Sequence, residues 1–331
     1  MMSKMLNICF MGNPKFAVQT LDVLYKDENF DVKLVVSSKD KKRSRNKVTP
    51  TEVKKYALDN NIVVATPDSV NTKEFVEELK GLDIEFIVVV AFGQLIGDLL
   101  LEEFDDRIIN LHPSILPKYR GAAPMQFTLL NGEEKTAPTT MLIEKGMDSG
   151  DILSQNIVDV DIKDDYYSLE EKMSELGSLA IRDTLLNFDE FYKNRIKQDD
   201  SKATFTKKIS KEMGRINWKD DSIKIYNQIR ALVDYPKAFF SYEGNNVKVL
   251  EAEPLDSYDP KPGFIYKVDS KNNIVVGTGD GAIRINKLQF PGKKAMDTKS
   301  FLMGNDFKEG IFLDDWFKPC LWYIKWGNLC W

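Results

Sequence analysis

The run Ile84 to Ala91, IEFIVVVA, is nearly continuous in apolar side chains and only eight residues long. A strand buried on both faces has that texture, and strands of that kind belong to parallel sheets covered by helices. The runs around it agree. Asn7 to Met11, Val32 to Val36, Ile62 to Ala65 and Ile108 to His112 are short and apolar, and helix signals separate them. After Gly12-Asn13-Pro14 comes a helical pattern with Phe16, Leu21 and Leu24. Thr49-Pro50-Thr51-Glu52 combines an N-cap, a proline at the first helical position and a glutamate three residues on, and Asn71-Thr72-Lys73-Glu74 opens a helix in the same manner. Alternation of β and α at these lengths predicts an α/β domain with a mostly parallel sheet. The first βα turn lacks G-x-G-x-x-G, so no dinucleotide is inferred, and Gly12-Asn13-Pro14 reads either as a tight turn or as a substrate contact.

At 331 residues the chain exceeds the size at which one core stops growing, so two domains are expected. Tyr166-Tyr167-Ser168-Leu169-Glu170-Glu171 announces a helix with a capping box, whose buried stripe is Leu169, Met173, Leu176 and Ala180. The first domain can close there, giving 1–187. Residues 188–207, FDEFYKNRIKQDDSKATFTK, are polar and charge-mixed without a clean period and read as a linker. Past a helix around Ser222 to Val233, short apolar stretches separated by Gly- and Asn-bearing turns such as Glu243-Gly244-Asn245-Asn246 predict a small antiparallel barrel over 208–313. The tail 314–331 carries four of the five tryptophans and reads as an appendage of unassigned role.

Function points to the strand ending in Asn110-Leu111-His112. Alternation puts Asn110 and His112 on one face, and Pro113 ends the strand at the edge where open α/β sheets place ligands. His112 is the only histidine. The short strand Thr139 to Ile143 delivers the loop Gly146-Met147-Asp148-Ser149-Gly150, so Asn110, His112 and Asp148 could converge on one site. Read alone, a histidine there is more often a hydrogen-bonded structural residue than a catalyst. Phe92-Gly93-Gln94-Leu95-Ile96, past the buried strand, offers an apolar loop for a flat ring, or core packing. With one histidine and Cys9, Cys320 and Cys330, neither a metal site nor a disulfide framework is expected. No apolar run is long enough to span a membrane and the N-terminus lacks a signal peptide's apolar region, so a cytoplasmic protein is expected.

The net charge is −5, unevenly spread. From Phe205 onward 20 Lys and Arg face 16 Asp and Glu, whereas before it 26 face 35, so the later part is the more basic. Within the acidic part, Lys39 to Lys47 carries six positive charges against one negative, as a solvated loop or as a phosphate contact.

The segment Asn110 to Asp151, above all Ser114-Ile115-Leu116-Pro117-Lys118-Tyr119-Arg120-Gly121-Ala122-Ala123-Pro124, resembles the signature of the folate-dependent formyltransferases. Phe10-Met11-Gly12-Asn13-Pro14, Val88-Val89-Val90-Ala91-Phe92-Gly93 and Gly292-Lys293-Lys294-Ala295-Met296 extend the resemblance over roughly residues 5 to 313. It implies a Rossmann-like formyltransferase domain followed by an OB-like barrel that helps hold tRNA. The expected reaction moves a formyl group from 10-formyltetrahydrofolate to the α-amino group of methionine on initiator methionyl-tRNA. The catalytic trio would be Asn110, His112 and Asp148, and folate would lie along Phe92, Gly93, Ser114, Ile115, Leu116 and Pro117. Contacts to tRNA would come from Lys41, Lys42, Arg43, Arg45 and Lys47, and from the pair Lys293 and Lys294, which a solvated turn would equally explain. No metal and no membrane enter, and a monomer is expected. The alternatives are a nucleotide-linked amino-sugar N-formyltransferase, which would share the trio, a formyltetrahydrofolate hydrolase, and a non-catalytic RNA-binding module.

Overall fold

A computed structural model describes residues 5–42, 48–269 and 273–313. The chain divides into two compact units, the first formed by residues up to 128 with 133–208, the second by 129–132 with the residues from 209 onward.

The first unit is a seven-stranded sheet. Its strands are β1 (Leu6–Gly12), β2 (Phe30–Val36), β3 (Val64–Ala65), β4 (Phe86–Val90), β5 (Ile108–His112), β6 (Thr139–Leu142) and β7 (Ile152–Gln155), in the spatial order β7-β6-β5-β4-β1-β2-β3. Strands β3 through β5 run parallel in that order, while β6 and β7 pair antiparallel at the edge. The expected class, α/β with a mostly parallel sheet, is the one observed. Every residue of β4 is buried, as its unbroken apolar run requires. Helices cover both faces: α3 (Lys73–Gly81) and α4 (Asp98–Glu103) bury Phe75, Val76, Leu79 and Leu100 in a core with Cys9, Met11, Ile87 and Val89. Opposite them α1 (Lys15–Lys26) packs on α6 (Tyr166–Leu186), the helix that follows α5 (Pro124–Leu130), and there the Ser174 hydroxyl donates to the Phe16 carbonyl at 2.9 Å. Ile87 is fully buried in the central strand. Ile87→Ala is expected to cost about 2–5 kcal/mol, through lost burial and the cavity left behind, read as a lower midpoint in urea unfolding.

Three helix starts differ from the sequence expectation by a few residues. Thr49 lies in a two-residue strand paired with Lys41–Lys42, so the cap of α2 (Glu52–Asp59) is Thr51, whose side chain accepts from the Lys54 amide. Helix α3 is capped by Thr72, because the Asn71 side chain instead donates to the Leu95 carbonyl at 2.8 Å and accepts from the Gly97 amide at 2.5 Å. The capping box of α6 is formed by Asp165 with Ser168. For α2 and α3 backbone and side-chain bonds to other segments moved the cap, whereas that of α6 is a local pair.

The 188–207 stretch, read above as a linker, folds onto the first unit. It carries helix α7 (Phe188–Lys193), a backbone bridge between Ile196 and Ile152, and a two-residue strand Phe205–Thr206 paired with Arg120–Gly121. Its individual backbone and side-chain bonds need no apolar period, so none shows in the sequence.

The second unit is a six-stranded antiparallel sheet of β8 (Ala238–Tyr242), β9 (Asn245–Leu255), β10 (Ile265–Asp269), β11 (Asn273–Gly277) and β12 (Ala282–Gln289), ordered β8-β9-β12-β11-β10, with the short strand Met296–Asp297 also pairing on β12. The β8-β9 turn places Glu243 and Gly244 at φ of 48° and 78°, the two positive values of the hairpin turn that matches sheet twist. Its core gathers Trp218, Phe240, Ile265, Ile274 and Ile285 with helix α8 (Ser222–Ala231). This is the antiparallel second part that the short apolar stretches predicted. The tryptophan-rich tail 314–331 lies outside the described residues.

Candidate active site

The strand order reverses between β1 and β4, and open α/β sheets bind ligands beyond the carboxyl ends of such strands. Asn13 builds this edge. Its amide donates to the Phe92 carbonyl, and its side-chain oxygen accepts from the Ser37 hydroxyl at 2.9 Å and from the Ser38 amide at 2.8 Å. These bonds make Gly12-Asn13-Pro14 a turn in which Asn13 ties the ends of β1, β2 and β4 together, and Pro14 of the same turn lines the adjoining cavity. That cavity has a volume of about 1100 Å³, and Asn110, His112, Asp148, Phe92, Gly93 and Gly121 are among its lining residues.

Register places His112 opposite Thr139, and Asn110 between Met141 and Val89. Asn110 and His112 share the face turned to the cavity, while Leu111 packs on Gly177 of α6. His112 is only 5% exposed, so its polar atoms need protein partners. Its Nε2 lies 3.0 Å from the Tyr119 carbonyl. A carbonyl only accepts, so Nε2 carries the proton, and in the neutral ring Nδ1 is left with a lone pair. That nitrogen is 3.7 Å from Asp148 Oδ2. The same carboxylate oxygen accepts from the Gly121 amide at 2.7 Å. Asp148 therefore faces the imidazole from a fixed position.

Two glycines make this approach possible. Gly121 has φ +103°, and a Cβ there would sit 2.6 Å from the Thr206 carbonyl oxygen. A Cβ on Gly150 would fall on the Leu142 carbonyl oxygen, so the Asp148 loop returns to the sheet only without a side chain at that point. Asp148 itself has φ +48°, a region that residues with side chains seldom occupy and that is held here by its neighbours.

Phe92 and Gly93 line the cavity, with Ile96 and Ile143 also lining it and Leu95 80% exposed. Such a lining, apolar with nearby backbone polar groups, suits a flat heterocycle. Ser114, Ile115, Leu116 and Pro117 are not among the lining residues. The Ser114 hydroxyl donates to the Lys118 carbonyl at 2.8 Å and Leu116 is buried with Met141 and Ile152, so these two side chains turn inward, while Ile115 and Pro117 are half-buried. Lys41 and Lys42 lie in the short strand pairing with Val48–Thr49, whereas Arg43, Arg45 and Lys47 are outside the described residues. Lys293 and Lys294 stand exposed in a turn of the second unit. Among the described residues no group of three or more His, Cys, Asp or Glu is arranged to hold a metal, and burial pushes the Cys9 thiol up, away from reactive thiolate.

Sequence reasoning missed several residues at or beside the site. Gln126, Tyr166 and Glu170 line the cavity, and the Tyr166 hydroxyl donates to Glu170 at 2.7 Å. Arg120 and Gln198 are buried beneath the Asp148 loop. Gln198 lies in the stretch read as a linker, where no period or motif marks it.

A formyl transferase pattern matches residues 4–185 and a formyl transferase C-terminal domain pattern matches residues 208–306, and the chain belongs to the formyl transferase family. It is an enzyme of that type. It is 41% identical to a methionyl-tRNA formyltransferase of Finegoldia magna, over 92% of this chain and 99% of the relative. It is also 41% identical to a methionyl-tRNA formyltransferase of Clostridium acetobutylicum, over 93% of this chain and 100% of that one. Among solved structures, WlaRD, a sugar 3N-formyl transferase seen with dTDP and 5-N-formyl-THF, superposes with TM-score 0.62 at 25% identity, covering 88% of this chain and 100% of its own. An N-formyltransferase from Helicobacter canadensis shares the fold with TM-score 0.62 at 22% identity, over 85% and 99%.

Proposed function

We infer that this enzyme transfers the formyl group of 10-formyltetrahydrofolate to the α-amino group of methionine on initiator methionyl-tRNA, by direct attack through a tetrahedral intermediate. The observation that carries the chemistry is the His112 ring, fixed between the Tyr119 carbonyl and the Asp148 carboxylate beside Asn110 at a large cavity. The folate supplies an activated formyl group. As the amine nitrogen bonds to the formyl carbon, negative charge builds on the formyl oxygen, and preorganised donors must meet it. The Asn110 amide is one such donor. Nε2 is committed to Tyr119, so His112 acts through Nδ1, taking the proton that leaves the amine and passing it to the departing folate nitrogen. Asp148 stabilises the imidazolium in between. An α-amino group titrates near pH 8, so a modest depression leaves enough neutral amine to attack.

The tRNA acceptor is favoured by identity of 35–41% to methionyl-tRNA formyltransferases over essentially their whole length, second domain included. We assign the chemistry to 1–187 and tRNA holding to 208–313, with the cationic run Lys39 to Lys47 meeting tRNA phosphates. A translation substrate implies work in the cytoplasm. The second reading is an amino-sugar N-formyltransferase, to which the superposition on a sugar 3N-formyl transferase speaks. Radiolabelled formyl transfer, offered charged initiator tRNA and a nucleotide-linked amino sugar in parallel, decides between them. Label on methionyl-tRNA is expected; label on the sugar alone sinks the tRNA reading.

A further inference from the structure

The segment from Arg195 to Thr206 grips the site from two sides. On one side it holds the loop that carries Asp148. Arg195 Nε pairs with Asp151 at 3.1 Å, and Ile196 exchanges backbone bonds with Ile152 at 2.8 and 2.9 Å. Gln198 Nε2 donates to the carbonyls of Asp148 at 2.9 Å and Gly150 at 2.7 Å. On the other side it holds the chain that supplies the carbonyl partner of His112. Thr204 Oγ1 accepts from the Tyr119 amide, and the Thr204 carbonyl accepts from the Arg120 amide, both at 2.8 Å.

Gln198 is the joint between these sides. It is 7% exposed, and its amide gives both N–H groups and accepts once. Two carbonyls face one end and must be met by N–H donors. The Arg120 Nε–H faces the other end at 3.0 Å and must be met by oxygen. The amide orientation is therefore dictated by its partners. Arg120 is 4% exposed, with Nη1 reaching the exposed Asp200 carboxylate at 2.8 Å, so burial more than that ion pair holds the guanidinium on which the amide rests. What it holds is a strained turn, with Asp148 at φ +48° and its carboxylate reaching both Gly121 and His112.

We propose that Gln198 is a positioning residue for formyl transfer: by clamping the Asp148 and Gly150 carbonyls it keeps the Asp148 carboxylate aimed at the His112 ring. The proposal rests on the reading of Asp148 given above. Its effect falls on chemistry more than on binding, because Gln198 is not among the residues lining the cavity. A displacement of about 1 Å at a catalytic group costs up to about 100-fold in rate.

Gln198→Glu keeps size and the bond from Arg120 but replaces the donor to two carbonyls with an oxygen that repels them. Gln198→Ala removes the clamp without repulsion. Each is expected to lower kcat about 10- to 100-fold, with KM for methionyl-tRNA and the folate dissociation constant within about 3-fold of wild type. In single-turnover measurements on Asp148→Asn, adding Gln198→Glu is expected to slow transfer by less than about 2-fold, since residues acting through one group are not additive. A merely structural role would instead multiply the two losses. The Gly121 amide, which donates to Asp148, is expected to exchange its hydrogen at least about 10-fold faster in Gln198→Glu, with Ile87 and Val88 unchanged. Wild-type kcat in both Gln198 variants while Asp148→Asn is inactive, multiplied losses in the double variant, or unchanged exchange at Gly121 each overturn the proposal. Full turnover by Asp148→Asn overturns the underlying reading of Asp148 instead, and with it any role of Gln198 in transfer.

Discussion

His112→Ala and Asp148→Asn are each expected to lose at least about 100-fold in turnover while still binding folate. Removing one preorganised group that acts on transition-state charge costs about 100- to 1,000-fold, and ground-state affinity owes little to such groups. The geometry sharpens the reason for each. His112 has one nitrogen tied to the Tyr119 carbonyl, so only Nδ1 handles the travelling proton, and alanine leaves nothing there. Asparagine at 148 keeps the size of the side chain and an oxygen for the Gly121 amide, but loses the charge that steadies the imidazolium 3.7 Å away. The measurement pairs steady-state turnover at saturating substrates with a folate titration. Near-normal turnover in either variant shows that the trio is wrongly assigned.

Neutralising Lys42, Arg43 and Arg45 together is expected to weaken tRNA binding and to flatten its salt dependence by about two units of log-log slope. Each lost phosphate contact removes about 0.7 to 0.9 from that slope, because fewer counterions are released on binding. Folate binding should not change, since the cavity beside His112 is built from other segments. An amino-sugar acceptor presents few phosphates and would show no such change. Apparent tRNA affinity across a salt series, for wild type and the triple variant, reads the effect. Equal slopes would leave the run as a solvated surface turn, and a wild type with no measurable tRNA binding would favour the sugar acceptor.

By itself the sequence determined the elements and their class. The unbroken apolar run of β4 can only be buried on both faces, and short runs alternating with capped helices can only build a parallel sheet. Strand alternation was enough to set Asn110 and His112 on one face. Glycines at 146 and 150 marked the loop that carries Asp148 as one needing close approach. Tertiary structure decided what depends on partners distant in the chain. The proton on His112 is fixed by a carbonyl seven residues away that no local pattern points to. Leu116 turned inward because it found Met141 and Ile152, a packing choice made across three segments. The cap of α2 moved to Thr51 because Thr49 is taken up in backbone strand pairing, and that of α3 to Thr72 because Leu95 and Gly97 claim the Asn71 side chain. The 188–207 stretch looked like a linker because single hydrogen bonds, such as those of Gln198 and Thr204, leave no periodic trace, whereas burial of an apolar face does.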